Sequence, residues 1–464
     1  MKPRALMFGL LALVACGYNN GMYNANRLAK EATRADREGR TIDASGLWGQ
    51  VAVKAESLLI RRPKKNSIVR LRFLRGMGLS RTGDCATAVP FLEDVANEGD
   101  KGEMVEQATA LLGECRMALG DPAGASIAYG RLIGSADRSR RHKALLRHGR
   151  ALRLDGDYAQ ALVELNQSEE PAALGERAAA LAGLGNTAAL MAVADSLIAR
   201  GDTAAPWDAT LELLGAHDEA AASALVERLR ASPKFSPVEE AGWVYGDGLR
   251  LLKTDTTRGL ARLAELQRIR QGGSPTSLAR LAIVRFHLDR ADSLAEIRTA
   301  LATLEDMQEG SGAAAGEAST LAGRIRRVLA STDSQAPELP ARDMQLFLAA
   351  ETTRDSLRAP VLAAALFGQV ARDWPESPFA PKALMAVAEL DSIHADSVWA
   401  ILRSRYADSP YLAILRGEDP PAFRQLEDSL RHFASVTPPS PIRTPARKPG
   451  APTSPAARKP ADVQ

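Results

Sequence analysis

The chain has 464 residues, a formal net charge of +3 and three cysteines. So evenly mixed a charge excludes a nucleic-acid binder built on a concentrated basic face, and so few cysteines exclude a disulfide framework. Aromatics are only 5% while alanine and leucine abound, so the composition predicts helices packed through small residues and essentially no sheet.

The N-terminus carries Lys2 and Arg4, then an apolar run from Ala5 to Leu13. That is a charged head and greasy core of secretory-signal length, too short to span a bilayer. Leu13-Val14-Ala15-Cys16 resembles a bacterial lipobox. The resemblance implies that residues 1–15 are removed and that Cys16 becomes the acylated first residue of the mature chain. Losing two basic residues and no acid would take the formal charge from +3 to +1. Gly17 stands where an aspartate would favour inner-membrane retention, so the resemblance implies an outer-membrane anchor facing the periplasm. The competing reading is an ordinary signal peptide with a coincidental cysteine. Residues 16–22 read as lipidated cysteine and polar spacer.

From residue 23 a helix–turn–helix plan recurs. A first helix is expected from about Tyr23 to Glu38 and a second from about Ile42 to Arg61, stopped near Pro63. Turn glycines follow at Gly39, Gly83, Gly120, Gly156 and Gly185, spaced by 44, 37, 36 and 29 residues. Five residues beyond the first four lie Ala44, Ala88, Ala125 and Ala161. Nine beyond lie Trp48, Leu92, Tyr129 and Leu165. A small residue and a large one at i and i+4 let a partner helix approach and then fill the space beside it. The pattern resembles the tetratricopeptide repeat. Its clearest copy has Gly149 and Leu152 on the first helix, Gly156 and Tyr158 at the turn, and Ala161 and Leu165 on the second. The resemblance implies an all-α, tetratricopeptide-like solenoid wound as a right-handed superhelix.

Shorter helices are expected through residue 329. Two prolines and polar breaks at 330–341 suggest a linker between a first block, 23–329, and a second, 342–434. In the second block, Arg372 to Ala380 follows a helix with Ala363 and Phe367, and Arg405 to Leu412 repeats its plan of aromatic, Ser-Pro turn and aromatic. These joints resemble those of BamD-type outer-membrane assembly lipoproteins and of the coordinator that works with the Tol–Pal system. Residues 435–464 hold eight prolines and five basic residues against one acid, and are expected to stay disordered as a solubilising extension, with weak contact to anionic cell-wall polymer or lipopolysaccharide as the alternative use.

Cys85 and Cys115 lie about equally far from an expected turn near Asp100, so they would face each other in an antiparallel helix pair. A disulfide is the expectation; two small buried thiols that never meet is the alternative. None of the six histidines forms a metalloprotease pair, and no nucleophile elbow or phosphate loop is present. No catalytic, cofactor or metal residue is therefore assigned. Arg70, Arg72 and Arg75 read as a solvated helix surface, with a basic stripe near the lipidated end as the alternative. The expected function is a non-catalytic scaffold binding envelope proteins, such as outer-membrane assembly factors or unfolded barrel precursors. The alternatives are a coordinator of peptidoglycan synthesis or Tol–Pal constriction, and a cell-wall hydrolase with an unrecognised site. No nucleic-acid partner is expected.

Overall fold

The computed structural model describes residues 4–436 apart from 62, 64, 99–101, 270–272, 309–311 and 333–340, and the side chains of 4–19, 65 and 66 lie outside the description. Every regular element among the described residues is helical, and successive helices pack against one another, so the fold is an all-α helical-repeat array. The chain divides into two compact units, residues 1–259 and 260–464.

The first unit holds α1 (Arg4–Arg37), α2 (Thr41–Ile60), α3 (Lys65–Arg81), α4 (Cys85–Ala96), α5 (Glu103–Ala118), α6 (Pro122–Gly130), α7 (Arg138–Asp155), α8 (Tyr158–Gln167), α9 (Ala173–Gly183), α10 (Thr187–Arg200), α11 (Trp207–His217), α12 (Glu219–Arg230) and α13 (Pro237–Thr254). The division itself falls within α14 (Thr256–Glu265). Gly39, Gly83, Gly120, Gly156 and Gly185 all have positive φ, between 67° and 91°. A side chain there would be strained, which is why glycine ends each first helix. The next residue usually starts the second helix. Asp84, Asp121, Asp157 and Asn186 each accept a backbone N–H from the first turn that follows. One dipeptide thus closes one helix and caps the next.

The packing pairs are buried as a set. Ala44, Trp48, Ala88, Leu92, Ala125, Tyr129, Ala161 and Leu165 are all at most 3% exposed. For Leu92, Tyr129 and Leu165 the counterpart on the first helix is a glycine sixteen residues earlier, whereas for Trp48 that position is Ala32. A Cβ on Gly76, Gly113 or Gly149 would stand 2.8, 2.5 or 2.5 Å from Leu92, Tyr129 or Leu165. After Gly185 the order reverses, with Leu190 before Ala194, so the pattern fades there although both residues remain buried. Leu152 is buried behind the same joint, and Tyr158 is half-buried with its ring against Gly183. Gly149→Ala is expected to lower stability by about 1–3 kcal/mol through overpacking, outweighing the roughly 1 kcal/mol that alanine offers a helix over glycine. Gly46→Ala, on an open part of α2 with nothing within 4 Å, should gain stability. Urea midpoints that move in the same direction for both would contradict this packing.

The second unit holds α15 (Ser274–Arg290), α16 (Leu294–Gln308), α17 (Ala313–Thr332), α18 (Arg342–Glu351), a π-helical turn (Thr352–Ser356), α19 (Pro360–Asp373), α20 (Ala380–Leu390), α21 (Ala395–Arg405), α22 (Pro410–Leu415) and α23 (Pro421–Val436). Ala363 and Phe367 lie fully inside its core, where Phe367 and Phe379 ring Phe347 at 5.3 and 6.1 Å. The two aromatic–Ser-Pro joints meet: Tyr406 donates its hydroxyl to the Pro375 carbonyl at 2.9 Å, and Arg405 pairs with Glu376 at 2.9 Å.

Four boundaries differ from the sequence reading. The spacer at Gly17–Gly21 is part of the continuous α1. The division lies at 259/260 rather than at 330–341, because one hydrophobic core runs from Leu281 to Leu430 and Leu362 donates its N–H to Ala291 across that interval. Prolines and polar residues marked a connection there, but a connection inside one core does not divide a protein. Helix α17 also continues to Thr332, residues 333–340 lie outside the description, and α23 extends the folded part from 434 to Val436.

Candidate binding grooves

Two cavities open along the first helices of the pairs in unit 1. One, of about 430 Å³, lies among α3, α5 and α7. Its floor is apolar, with Leu111 and Ala144. Tyr129 reaches it from α6 through the space above Gly113, and burial pushes its phenol up to about 12. The Arg147 guanidinium sits 5.9 Å over that ring and 2.8 Å from Glu114. Arg81 and Lys143 line the same cavity, are exposed, and have no partner. The groove therefore offers two uncommitted cations above an apolar floor.

The second cavity, of about 660 Å³, lies between α11 and α13. Gly242 and Gly246 are four residues apart on one face of α13, and a Cβ on either would meet nothing within 4 Å. The backbone is exposed at Gly246 and half-buried at Gly242. Asp208 and Glu212 on α11 are exposed carboxylates without partners, and Lys253 on α13 is an uncommitted cation. Deeper in, Asp247 is fully buried; it accepts from the Ser223 hydroxyl at 2.9 Å and pairs with Arg250. Trp207, Phe235 and Trp243 pack edge-on beside it, with centroids 4.9–6.4 Å apart. The wall is thus stiff while its charged rim is free.

The walls are held in register by polar ties between successive pairs. Arg147 to Glu114, Arg131 to Asn97, Arg140 to Glu106, His217 to the Gly183 carbonyl and Arg228 to Asp195 join residues 33 or 34 positions apart. In unit 2, Ser377 donates to Asp343 at a separation of 34. This constant offset was missed by reading glycine spacings, which vary with turn length. Testing the sequence for complementary side chains at i and i+34 would have exposed it.

The most buried tie is Glu176 on α9. Its carboxylate accepts from Arg150 at 2.5 Å and Arg153 at 2.7 Å on α7, and both Glu176 and Arg153 are under 10% exposed. An acid inside the alanine-rich stretch Ala173 to Gly183 was the visible signal. Nearby, burial draws the His148 imidazole below its usual range, against the opposing pull of Glu164. Arg70, Arg72 and Arg75 are not simply solvated. Arg70 donates to Asn26, Arg72 pairs with Asp94, and Arg75 reaches Glu56 and the Ala52 carbonyl with little exposure. They tie α3 to its neighbours.

Cys85 opens α4 and Cys115 lies near the end of α5; they form a disulfide with a Cα–Cα distance of 4.9 Å. The Cys16 side chain lies outside the described residues. No group of three or more His, Cys, Asp or Glu side chains among the described residues could hold a metal ion. Among the described residues no helix is long and apolar enough to cross a membrane. The successive helix pairs and the ties between them define a tandem helical-repeat protein with open clefts along its helices. No family model matches the chain, and no curated protein matches it.

Proposed function

We propose that the protein is a non-catalytic scaffold, anchored through a lipidated Cys16 at the periplasmic face of the outer membrane, that holds partner proteins in its helical-repeat grooves. The observation that carries this reading is the pair of clefts in unit 1, with stiff walls and uncommitted charges at their rims. Free cations in one and free carboxylates in the other suit a chain segment carrying both signs. The Cys85–Cys115 bond supports an oxidising compartment. The aromatic–Ser-Pro joints of unit 2 carry the resemblance to the tetratricopeptide lipoproteins, and assembly of outer-membrane β-barrels is the process we adopt. The same joints resemble the Tol–Pal coordinator, so the test must separate the two.

Partner capture from intact envelopes after gentle crosslinking, wild type against Cys16→Ser, provides that test. The variant should leave the membrane fraction and lose its partners. Barrel-assembly components among wild-type partners support the adopted process; wall synthases or Tol components replace it with the other. Unchanged fractionation of the variant would refute the anchor. Fragment release from purified peptidoglycan would refute the non-catalytic assignment.

A further inference from the structure

In unit 2 a cavity of about 360 Å³ is lined by α18, the π-helical turn, α20, α21 and the end of α22. The charge around it is unbalanced. Glu351, Asp355, Glu389 and Glu427 face Arg354 and Lys382. Arg354 is committed to Asp355 at 2.7 Å, and Lys382 to Glu427 at 2.8 Å. Burial pushes the Glu351 carboxyl up against the opposing pull of Lys382 and Arg354, with smaller help from the Asp355 and Glu427 charges. Glu389 is exposed and makes no hydrogen bond or ion pair, although its charge acts on Arg354. On the same cavity Trp399 is half-buried and its indole N–H meets no acceptor, while Leu415 is 57% exposed. An apolar ring with a free donor beside a free carboxylate fits a proline-rich strand carrying cations. Proline supplies flat apolar surface and lacks an N–H that would need a partner. Its fixed φ also lowers the entropy lost on docking.

This chain contains such a strand. Residues 437–464, outside the described structure, hold eight prolines and five basic residues against one acid, and include Pro441-Ile442-Arg443-Thr444-Pro445. They leave the fold at Val436, the end of α23, and α23 carries Glu427 to the cavity's Lys382. From Glu427 to Val436 the helix advances only ~13.5 Å. From Val436 to Arg443 a polyproline strand spans ~22 Å, enough to return. We propose that the segment around 438–447 folds back into this cavity, its prolines against Trp399 and Leu415 and Arg443 on Glu389. The tail then acts as an internal ligand that an outside partner must displace. This inference does not depend on the scaffold reading.

Trypsin cleavage after Arg443 tests it in the full-length protein at low ionic strength, with a synthetic peptide of residues 437–464 as reference. Docking should slow cleavage at least ~10-fold relative to the peptide. Trp399→Ala and Glu389→Lys should each bring the rate most of the way back, and so should ~0.5 M salt. Glu389 is exposed, so its variant keeps the fold, and circular dichroism checks the other. Cleavage at the peptide rate in wild type would overturn the proposal. So would protection that both variants leave intact, or protection that grows with protein concentration, which would mean a second copy supplies the groove.

Discussion

Replacing Glu176 with alanine is expected to cost unit 1 about 3–5 kcal/mol, because it leaves the Arg153 guanidinium buried without a counter-charge. Arg153 is 7% exposed and has the Glu176 carboxylate at 2.7 Å. Arg150, about half exposed, can turn to water, but Arg153 cannot do so without opening the α7–α9 contact. The size of the effect therefore comes from desolvation rather than from the attraction of the pair. A double variant, Glu176→Leu with Arg153→Met, should recover most of the loss, since a packed apolar pair avoids burying either charge. Unit 1 is a repeat array, so its stability is set by contacts between neighbours. The single variant should weaken the coupling of the α7–α8 pair to the α9–α10 pair and split the urea transition of this unit. A Glu176→Ala protein that unfolds in one transition at the wild-type midpoint would show that the tie contributes nothing.

The joints were legible in the sequence because they depend on local chemistry. A left-handed backbone asks for glycine, the following cap asks for Asp or Asn, and the alanine five residues on faces a neighbouring helix whatever the loop length. The same logic placed Cys85 opposite Cys115, since two antiparallel helices bring equidistant residues together. What was not legible depends on the third dimension. The unpaired Arg81, Lys143, Asp208 and Glu212 cannot be told by composition from Arg140, Arg147 and Glu106, which are committed to ties. Each partner lies a full repeat away, and only the 34-residue register brings it into view. The boundary was misplaced for a related reason. Proline and polar residues report where the chain turns, whereas a division depends on whether the cores on either side merge. In unit 2 Leu281 and Leu430 belong to one cluster.

The groove reading rests on this distinction between committed and free charge. A surface ion pair contributes little stability, at most about 1 kcal/mol, so the many exposed ties matter chiefly as geometry. They hold the helix faces in register, several at an offset of 33 or 34 residues. Among the side chains left uncommitted, Arg81, Lys143, Asp208, Glu212 and Lys253 line the cavities of unit 1, and Glu389 lies beside Trp399 in unit 2. Charge reversal at Lys143 or Glu212 is therefore the sharpest way to alter binding without altering fold.

Reducing the Cys85–Cys115 bond is expected to destabilise unit 1 by about 3–4 kcal/mol, the loop-closure value for the 30 residues it encloses. The bond joins the second helix of one pair to the first helix of the next, so it restrains a joint between repeats as well as a loop. It also stands beside the α5 wall of the first groove. Loss of the bond should thus lower the thermal midpoint and loosen that cleft together. A Cys85→Ala, Cys115→Ala protein should match the reduced wild type and ignore reductant; equal midpoints for oxidised and reduced wild type, or recovery of two free thiols from the native protein, would refute the bond. The third cysteine completes the argument. Where Cys16 carries lipid its thiol is consumed, and Cys85 and Cys115 are left to find only each other. A Cys16→Ser protein should therefore form the same bond, whereas an unacylated Cys16 would add a competing thiol and mixed pairings visible on a non-reducing gel.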